Sequence, residues 1–155
     1  MADVVDAATR SRMMAGIRAK DTSPELLIRR SLHQLGFRFR LHDKRLPGKP
    51  DLVLPKHGTV IFVHGCFWHR HNCPAFKWPA TRSEFWRTKF ERNCENDRHQ
   101  VKALREMGWR VCVIWECSVR KFGGEVLAAR ISRWLAGTAR KLEIPGRKIG
   151  KVELK

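Results

Sequence analysis

The chain has 155 residues, 32 of them Lys or Arg against 15 Asp or Glu, for a net charge of +17 with its seven His taken as neutral. That length suggests one domain able to bury a core, and so large an excess of one sign points to a polyanionic partner, nucleic acid first, over a merely soluble surface. No apolar run approaches the ~20 residues of a membrane span, the N-terminus lacks a signal-peptide layout, and five Cys are an odd number for a secreted disulfide framework; a cytoplasmic protein is expected, whose clustered Cys and His favour a metal.

There are no repeats and no low-complexity linker. Asp6 to Lys20 is polar and basic, with Met13, Met14 and Ile17 as its apolar residues, and reads as a helix that packs on a partner rather than inward. Ser23 can cap the next helix, Pro24 suits its first turn and Gly36 ends it. Leu27, Ile28, Leu32 and Leu35 form its apolar stripe, with Glu25 in the first turn. FRFRLH, Phe37 to His42, alternates strictly and predicts a half-buried strand. DKRLPGKP is a loop; DLVLP and TVIFVHG, separated by KHG, predict a hairpin buried on both faces. Trp68 to Ala80 is irregular. The T-x-x-E of TRSE at Thr81 reads as a capping box for a long helix reaching Met107, with Gly108 as its stop. WRVCVIWECS is another buried strand, and Gly124 to Ala136 another helix. From Gly137 the chain is basic and weakly patterned, a tail or a loose extra strand. The order α-α-β-β-β-α-β-α gives an α/β fold, a mixed sheet with helices on both faces.

Cys66, His71 and Cys73 form C-x4-H-x-C just after a strand. A zinc site needs such a knuckle plus a ligand from a distant element, and Cys117 at the end of the last strand is the best fourth. Cys112, flanked by Val111 and Val113, reads as core, and Cys94 falls on the inner stripe of the long helix. The competing reading is a set of free buried thiols with incidental histidines. A closed four-ligand site would be structural, pinning the loop.

Asp51 opens a strand beside a second one that ends at Val63-His64. A carboxylate there can hold Mg²⁺, which keeps most of its waters and can polarise a phosphate; Glu25 could hydrogen-bond those waters. An Asp at a strand head is also an ordinary turn residue, and the acid-x-lysine common on the second strand of such nucleases is replaced by FVH. His64 and His69 are not needed for the zinc set and can act as base or stabilise charge. Asp97 shares a helical stripe with Phe90, Cys94 and Val101, where a carboxylate needs a partner: an imidazole, or one of the many Arg. Phe67, Trp68, Trp78 and Trp86 lie among Lys77, Arg82, Arg87 and Lys89, the mixture expected of a protein that distorts DNA. Phe67-Trp68 are expected exposed, Phe85 and Trp109 in the core.

With these residues assembled, the chain resembles the very-short-patch repair endonucleases, bacterial enzymes that nick DNA at T:G mismatches. MADVVDAATRSRMM, LPGKPDLVLP, VIFVHGCFWHRHNC, PATRSEFW and GWRVCVIWECSVR carry the likeness, over residues 1 to 136. The resemblance implies a restriction-endonuclease-like domain over 1–136, with an N-terminal DNA-contacting helix in 1–20 and a basic tail at 137–155. It also implies catalytic Mg²⁺, structural Zn²⁺ and nicking of double-stranded DNA 5′ of the mispaired thymine left by deamination of 5-methylcytosine. Asp51 would bind Mg²⁺, His69 would be the general base, and His64, Glu25 and Asp97 would support them. Val63 stands where family members can carry Thr and would offer Mg²⁺ its backbone carbonyl. Zn²⁺ would take Cys66, His71, Cys73 and Cys117. Phe67, Trp68 and Trp86 would wedge beside the mismatch, Met14 would approach from the opposite groove, and Lys89 and Asn93 would face the mispair. A monomer in the bacterial cytoplasm, associated with the nucleoid, is expected, with a repair polymerase and mismatch-repair proteins downstream. The rivals are a non-catalytic zinc DNA-binding module and a nuclease of the same fold acting on another DNA.

Overall fold

A computed structural model describes residues 22–67, 69, 71, 73 and 77–145. The helix expected over Asp6 to Lys20, Met14 with it, and Trp68 lie outside these.

Helix α1 (Ser23–Gln34) is capped by Thr22, one residue before the expected Ser23; the Thr22 Oγ1 accepts from the Glu25 N–H at 3.4 Å, and Pro24 occupies the first turn. Ile28 and Leu32 are buried, whereas Leu27 and Leu35 of the expected stripe are 42% and 53% exposed. Of FRFRLH only Arg40–Leu41 form a strand, β1; Phe37 and Phe39 pack on the core instead. Strands β2 (Leu52–Leu54) and β3 (Thr59–His64) make the expected hairpin, with Leu52 opposite Ile61. Helix α2 spans Ser83–Glu106. The capping box expected at Thr81 does not open it: the N-cap is Arg82, in left-handed conformation and without a side-chain cap bond. Strand β4 (Arg110–Trp115) runs directly into α3 (Glu116–Ala136), which breaks at Gly123, φ 80°, so the helix expected from Gly124 is its second half. Strand β5 (Lys141–Ile144) follows, and Ile144 is fully buried. The sheet thus continues past residue 136.

The five strands lie in the order β1-β2-β3-β4-β5, antiparallel from β1 to β3 and parallel from β3 to β5. Alternation sorts the side chains to two faces. Leu52, Leu54, Ile61, Cys112 and Ile114 meet α1 and α3, while Val53, Val60, Phe62, Val111, Val113 and Trp115 meet Leu104 of α2. Two glycines fix close approaches. A Cβ on Gly124 would stand 2.4 Å from Ser31 Oγ and 3.0 Å from the Leu27 carbonyl, so α3 can press on α1 only without one. A Cβ on Gly48 would stand 2.7 Å from Gln100 Oε1, which seats the loop before Asp51 against α2.

Candidate active site and metal centre

Asp51 sits one residue before β2, where that strand parts from β3. Its Oδ2 accepts from the Val63 N–H at 2.7 Å. Glu25, 1% exposed, reaches the same place from the first turn of α1. Its Oε2 accepts from Arg29 Nη2, one turn on, and from His42 Nε2 at 2.9 Å. His42 holds φ 46°, a costly conformation for a side-chain-bearing residue, and donates its N–H to the Asp51 carbonyl at 3.2 Å. Ligand atoms of Glu25, His42 and Asp51 lie within 4.8 Å of one another. Burial pushes the Asp51 carboxyl up to about 8; the Val63 N–H opposes the shift, and the neighbouring Glu25 adds to it. A second cation beside Arg29 would reverse that balance.

The next residue of β3 begins a second cluster. His64 is 9% exposed, and its ring stacks on His69 at 3.9 Å between centroids and 8° between planes. His69 Nδ1 meets Asp97 Oδ2 at 2.5 Å, so of the two partners considered for that carboxylate the structure has the imidazole. The Cys94 thiol donates to the His69 carbonyl at 3.3 Å, so α2 holds this loop at two points. Burial, then the adjacent His69 and His71, drives His64 well below the usual histidine range and keeps it neutral. Its buried Nδ1 has no hydrogen-bond partner among the described residues. Carboxylate and imidazole groups are therefore joined through consecutive residues, Val63 and His64.

Cys66, His71, Cys73 and Cys117 converge as the third cluster, their donor atoms within 4.8 Å of one another. Turn bonds from the His71 N–H to the Cys66 carbonyl (2.9 Å) and from the Cys73 N–H to the His71 carbonyl (2.8 Å) shape the knuckle. Cys117 comes from the first turn of α3, just beyond the strand that was expected to end with it. Its Sγ lies 3.5 Å from His71 Nδ1, and the His71 ring stacks on Trp115 at 4.0 Å. A tetrahedral ion with Zn–S bonds near 2.3 Å separates its sulfurs by roughly 3.8 Å, which this spacing allows. Burial and the neighbouring thiols raise the Cys66 thiol far above its usual range, a penalty that a cation would remove.

Phe67 and Trp86 stand edge-on at 5.4 Å, both against the fully buried Phe90. Both are half-buried, so Phe67 is less open than expected. Phe85, expected in the core, is instead 46% exposed, with Arg82 over its ring at 4.3 Å; it lies at the start of α2, outside the layer where Phe90 packs. Trp109 packs partly on the second core cluster. Lys89 and Asn93 share with Phe85 and Arg92 the lining of a cavity of about 530 Å³. His42 and Arg29 were missed by sequence reasoning. Their signals were a His closing the alternating run and an Arg four residues after Glu25.

A family model described as DNA mismatch endonuclease Vsr matches residues 2–75. The chain is similar to the DNA mismatch endonuclease Vsr of Escherichia coli K12, at 46% identity over 93% of this chain and 94% of the relative. It is also similar to the type II nicking enzymes V.XorIIP of Xanthomonas oryzae, 44% identical over 84% of this chain and 95% of the relative, and V.NmeAIP of Neisseria meningitidis, 43% identical over 77% and 86%. No described helix is long and apolar enough to cross a membrane.

Proposed function

The chain belongs to the DNA mismatch endonuclease Vsr family, and from that premise we propose that it nicks double-stranded DNA on the 5′ side of the thymine in T:G mismatches. The observation that carries the reading is the meeting, at the end of β3, of a buried carboxylate of raised pKa with a His–Asp pair. A binding module would leave both idle. A mixed sheet with an acid at the β2–β3 parting also fits a restriction-endonuclease-like domain. Monomeric action, a repair polymerase downstream and a bacterial cytoplasmic setting follow from the same reading.

Mg²⁺ suits the Asp51 site, where, when bound, it would neutralise charge on the scissile phosphate and acidify a water. In an extended strand a residue's N–H and C=O point to the same side, so the Val63 carbonyl shares the side of the N–H that bonds Asp51, and Val in place of Thr costs nothing there. Glu25, held by Arg29 and His42, would offer its carboxylate to the waters of a bound cation. His69 gives its Nδ1–H to Asp97 and keeps Nε2 as the proton acceptor; His64, stacked on its face, fixes the ring. The attacking water loses a proton to His69, its oxygen bonds to phosphorus, and the P–O3′ bond breaks with its electron pair on O3′. That oxygen takes up a proton. The products are a 5′-phosphate and a 3′-hydroxyl. Zn²⁺ fits the Cys66, His71, Cys73 and Cys117 set as a structural ion. Phe67, Trp68 and Trp86 would lie against the mismatched step, with Lys89 and Asn93 nearby on α2 and Met14 from the opposite groove.

The reading is tested by an end-labelled duplex with one T:G pair, placed in several sequence contexts, with and without Mg²⁺. A metal-dependent nick 5′ of the T, absent from the paired duplex, is expected. Equal cutting of a paired duplex or a four-way junction would assign a different substrate.

Two quantitative outcomes arise from this geometry. His69→Ala should lower single-turnover nicking by ~10²–10⁴, the usual worth of a positioned base. Asp97→Asn, which keeps the ring but loses the charge behind it, should cost only ~10–100-fold; equal losses would place Asp97 in direct contact with the DNA. In addition, Asp51 must shed a proton to hold a cation. Below the carboxyl's value of about 8, nicking at subsaturating Mg²⁺ should rise about tenfold per pH unit and flatten above it. At saturating Mg²⁺ the slope should shrink, and a profile indifferent to Mg²⁺ concentration would separate Asp51 from the metal.

A further inference from the structure

Beside the catalytic cluster the second face of the sheet is not fully covered. Between α2 and strands β4 and β5 lies a cavity of about 520 Å³ that includes His64 and Asp97 in its lining. It extends away from them along α2 as far as Arg105 and Glu106, eight to nine residues or about 12–14 Å on. The floor is apolar, from Val101, Val113 and Trp115. The rim is cationic: Arg98, Lys102 and Arg105 recur on one side of α2, and Arg140 and Lys141 answer them from β5 and its approach. Among the described residues Arg98, Lys102, Arg105 and Lys141 have no salt-bridge partner. Two of the three lining carboxylates are already engaged, Asp97 by His69 and Glu143 by Trp115 Nε1 at 2.8 Å. At the inner end the buried His64 Nδ1 lacks a partner.

A groove of this volume is of small-ligand size. It combines what a single nucleic-acid strand needs, cations for phosphates and an apolar floor for a base. We propose that it holds the 5′-phosphate-bearing end of the nicked strand, as a single strand of a few nucleotides. The terminal phosphate lies toward the His64 end of the groove, beside Arg98, and the following phosphates along Lys102 and Arg105. The proposal rests on the nicking reading, since that chemistry makes a 5′-phosphate beside His69. Residues 146–155, which follow β5, carry Arg147, Lys148, Lys151 and Lys155 against Glu153; they share the rim's sign and are poor occupants.

The probe is a 5′-phosphorylated DNA trinucleotide, titrated calorimetrically into the full zinc-loaded chain without Mg²⁺, beside the same trinucleotide lacking the phosphate. The phosphorylated form should bind at least fivefold tighter. In the Lys102→Ala/Arg105→Ala variant its affinity should fall about tenfold, and the salt slope should drop by roughly 1.4, from ~0.7 per cation on a single strand. The same variant should keep the single-turnover nicking rate and lose inhibition by nicked product. Indifference to the 5′-phosphate, an unchanged variant, or tighter binding of an acidic peptide of equal charge would overturn the proposal. Phosphate-dependent binding in a chain that nicks no T:G duplex would uphold the groove and remove the catalytic reading.

Discussion

Asp51→Asn is expected to abolish nicking and yet to make the metal-free protein more stable above neutral pH. Removing a metal-binding carboxylate forfeits several kcal/mol of charge stabilisation, which corresponds to a loss of ~10³ or more in rate. Binding to a T:G duplex should change by less than about threefold, because the amide keeps the carboxyl's size and its acceptor for the Val63 N–H. The stability effect has a definite sign. Burial lifts the carboxyl from 3.8 to about 8 in the folded chain. Between those values the folded state keeps a proton that the unfolded state sheds, so stability falls as pH rises from 4 to 8. The cost at pH 8 is on the order of a few kcal/mol. An amide cannot ionise and still offers an oxygen to the Val63 N–H. Thermal melts without metal should therefore coincide near pH 4 and separate in the variant's favour by pH 8. Retained nicking would remove the metal from Asp51; a variant less stable at pH 8 would mean that the carboxylate is ionised and paired as it stands.

What the sequence made legible follows from how locally each feature is determined. The β2–β3 hairpin was readable because its apolar runs are continuous and its turn is short. The cluster of three thiols and one imidazole was readable because C-x4-H-x-C leaves one ligand to find, and Cys117, two residues past the end of β4, supplies it. That Asp97 needs a partner was readable from a carboxylate on an otherwise apolar stripe, though whether an imidazole or an Arg was left open; the structure supplies His69. Other features depend on layers that no single element reveals. Glu25 was expected to support the Asp51 site, but its partners Arg29 and His42 were not, because the cluster is assembled from three separate stretches. Phe85 read as core because Phe is usually buried, but α2 presents Phe90 inward and leaves Phe85 at its outer start. Lys141–Ile144 has only four residues, two of them charged. Pairing with β4 makes it a strand, and its own pattern does not.

The second large effect concerns the thiols. Cys73→Ala should lower the melting temperature on the order of 10 °C or more and should also suppress nicking, although Cys73 touches neither Asp51 nor His69. A structural zinc can contribute ~10–16 kcal/mol where it alone folds a peptide. Here the first core cluster stands without it and most of the second comes from the strands and α2, although Cys66 and Cys73 belong to it, so mainly the share that orders the knuckle is lost, about 3–5 kcal/mol, and each 1 kcal/mol moves a domain of this size by ~2–4 °C. Activity should follow because the knuckle carries function on the same turns. Phe67 lies next to Cys66, and His69 N–H donates to the Gly65 carbonyl at 3.3 Å within it. Releasing the ligands frees the ring that Asp97 and His64 hold. His71→Ala should be milder in melting than Cys73→Ala, since three thiols still converge. Wild-type protein should contain one zinc per chain by elemental analysis, and the Cys73→Ala chain much less. Purified wild-type protein free of zinc, with a melting temperature unmoved by Cys73→Ala, would return these residues to buried free thiols. The loop would then be held by the contacts of His69 with Asp97 and Cys94 alone.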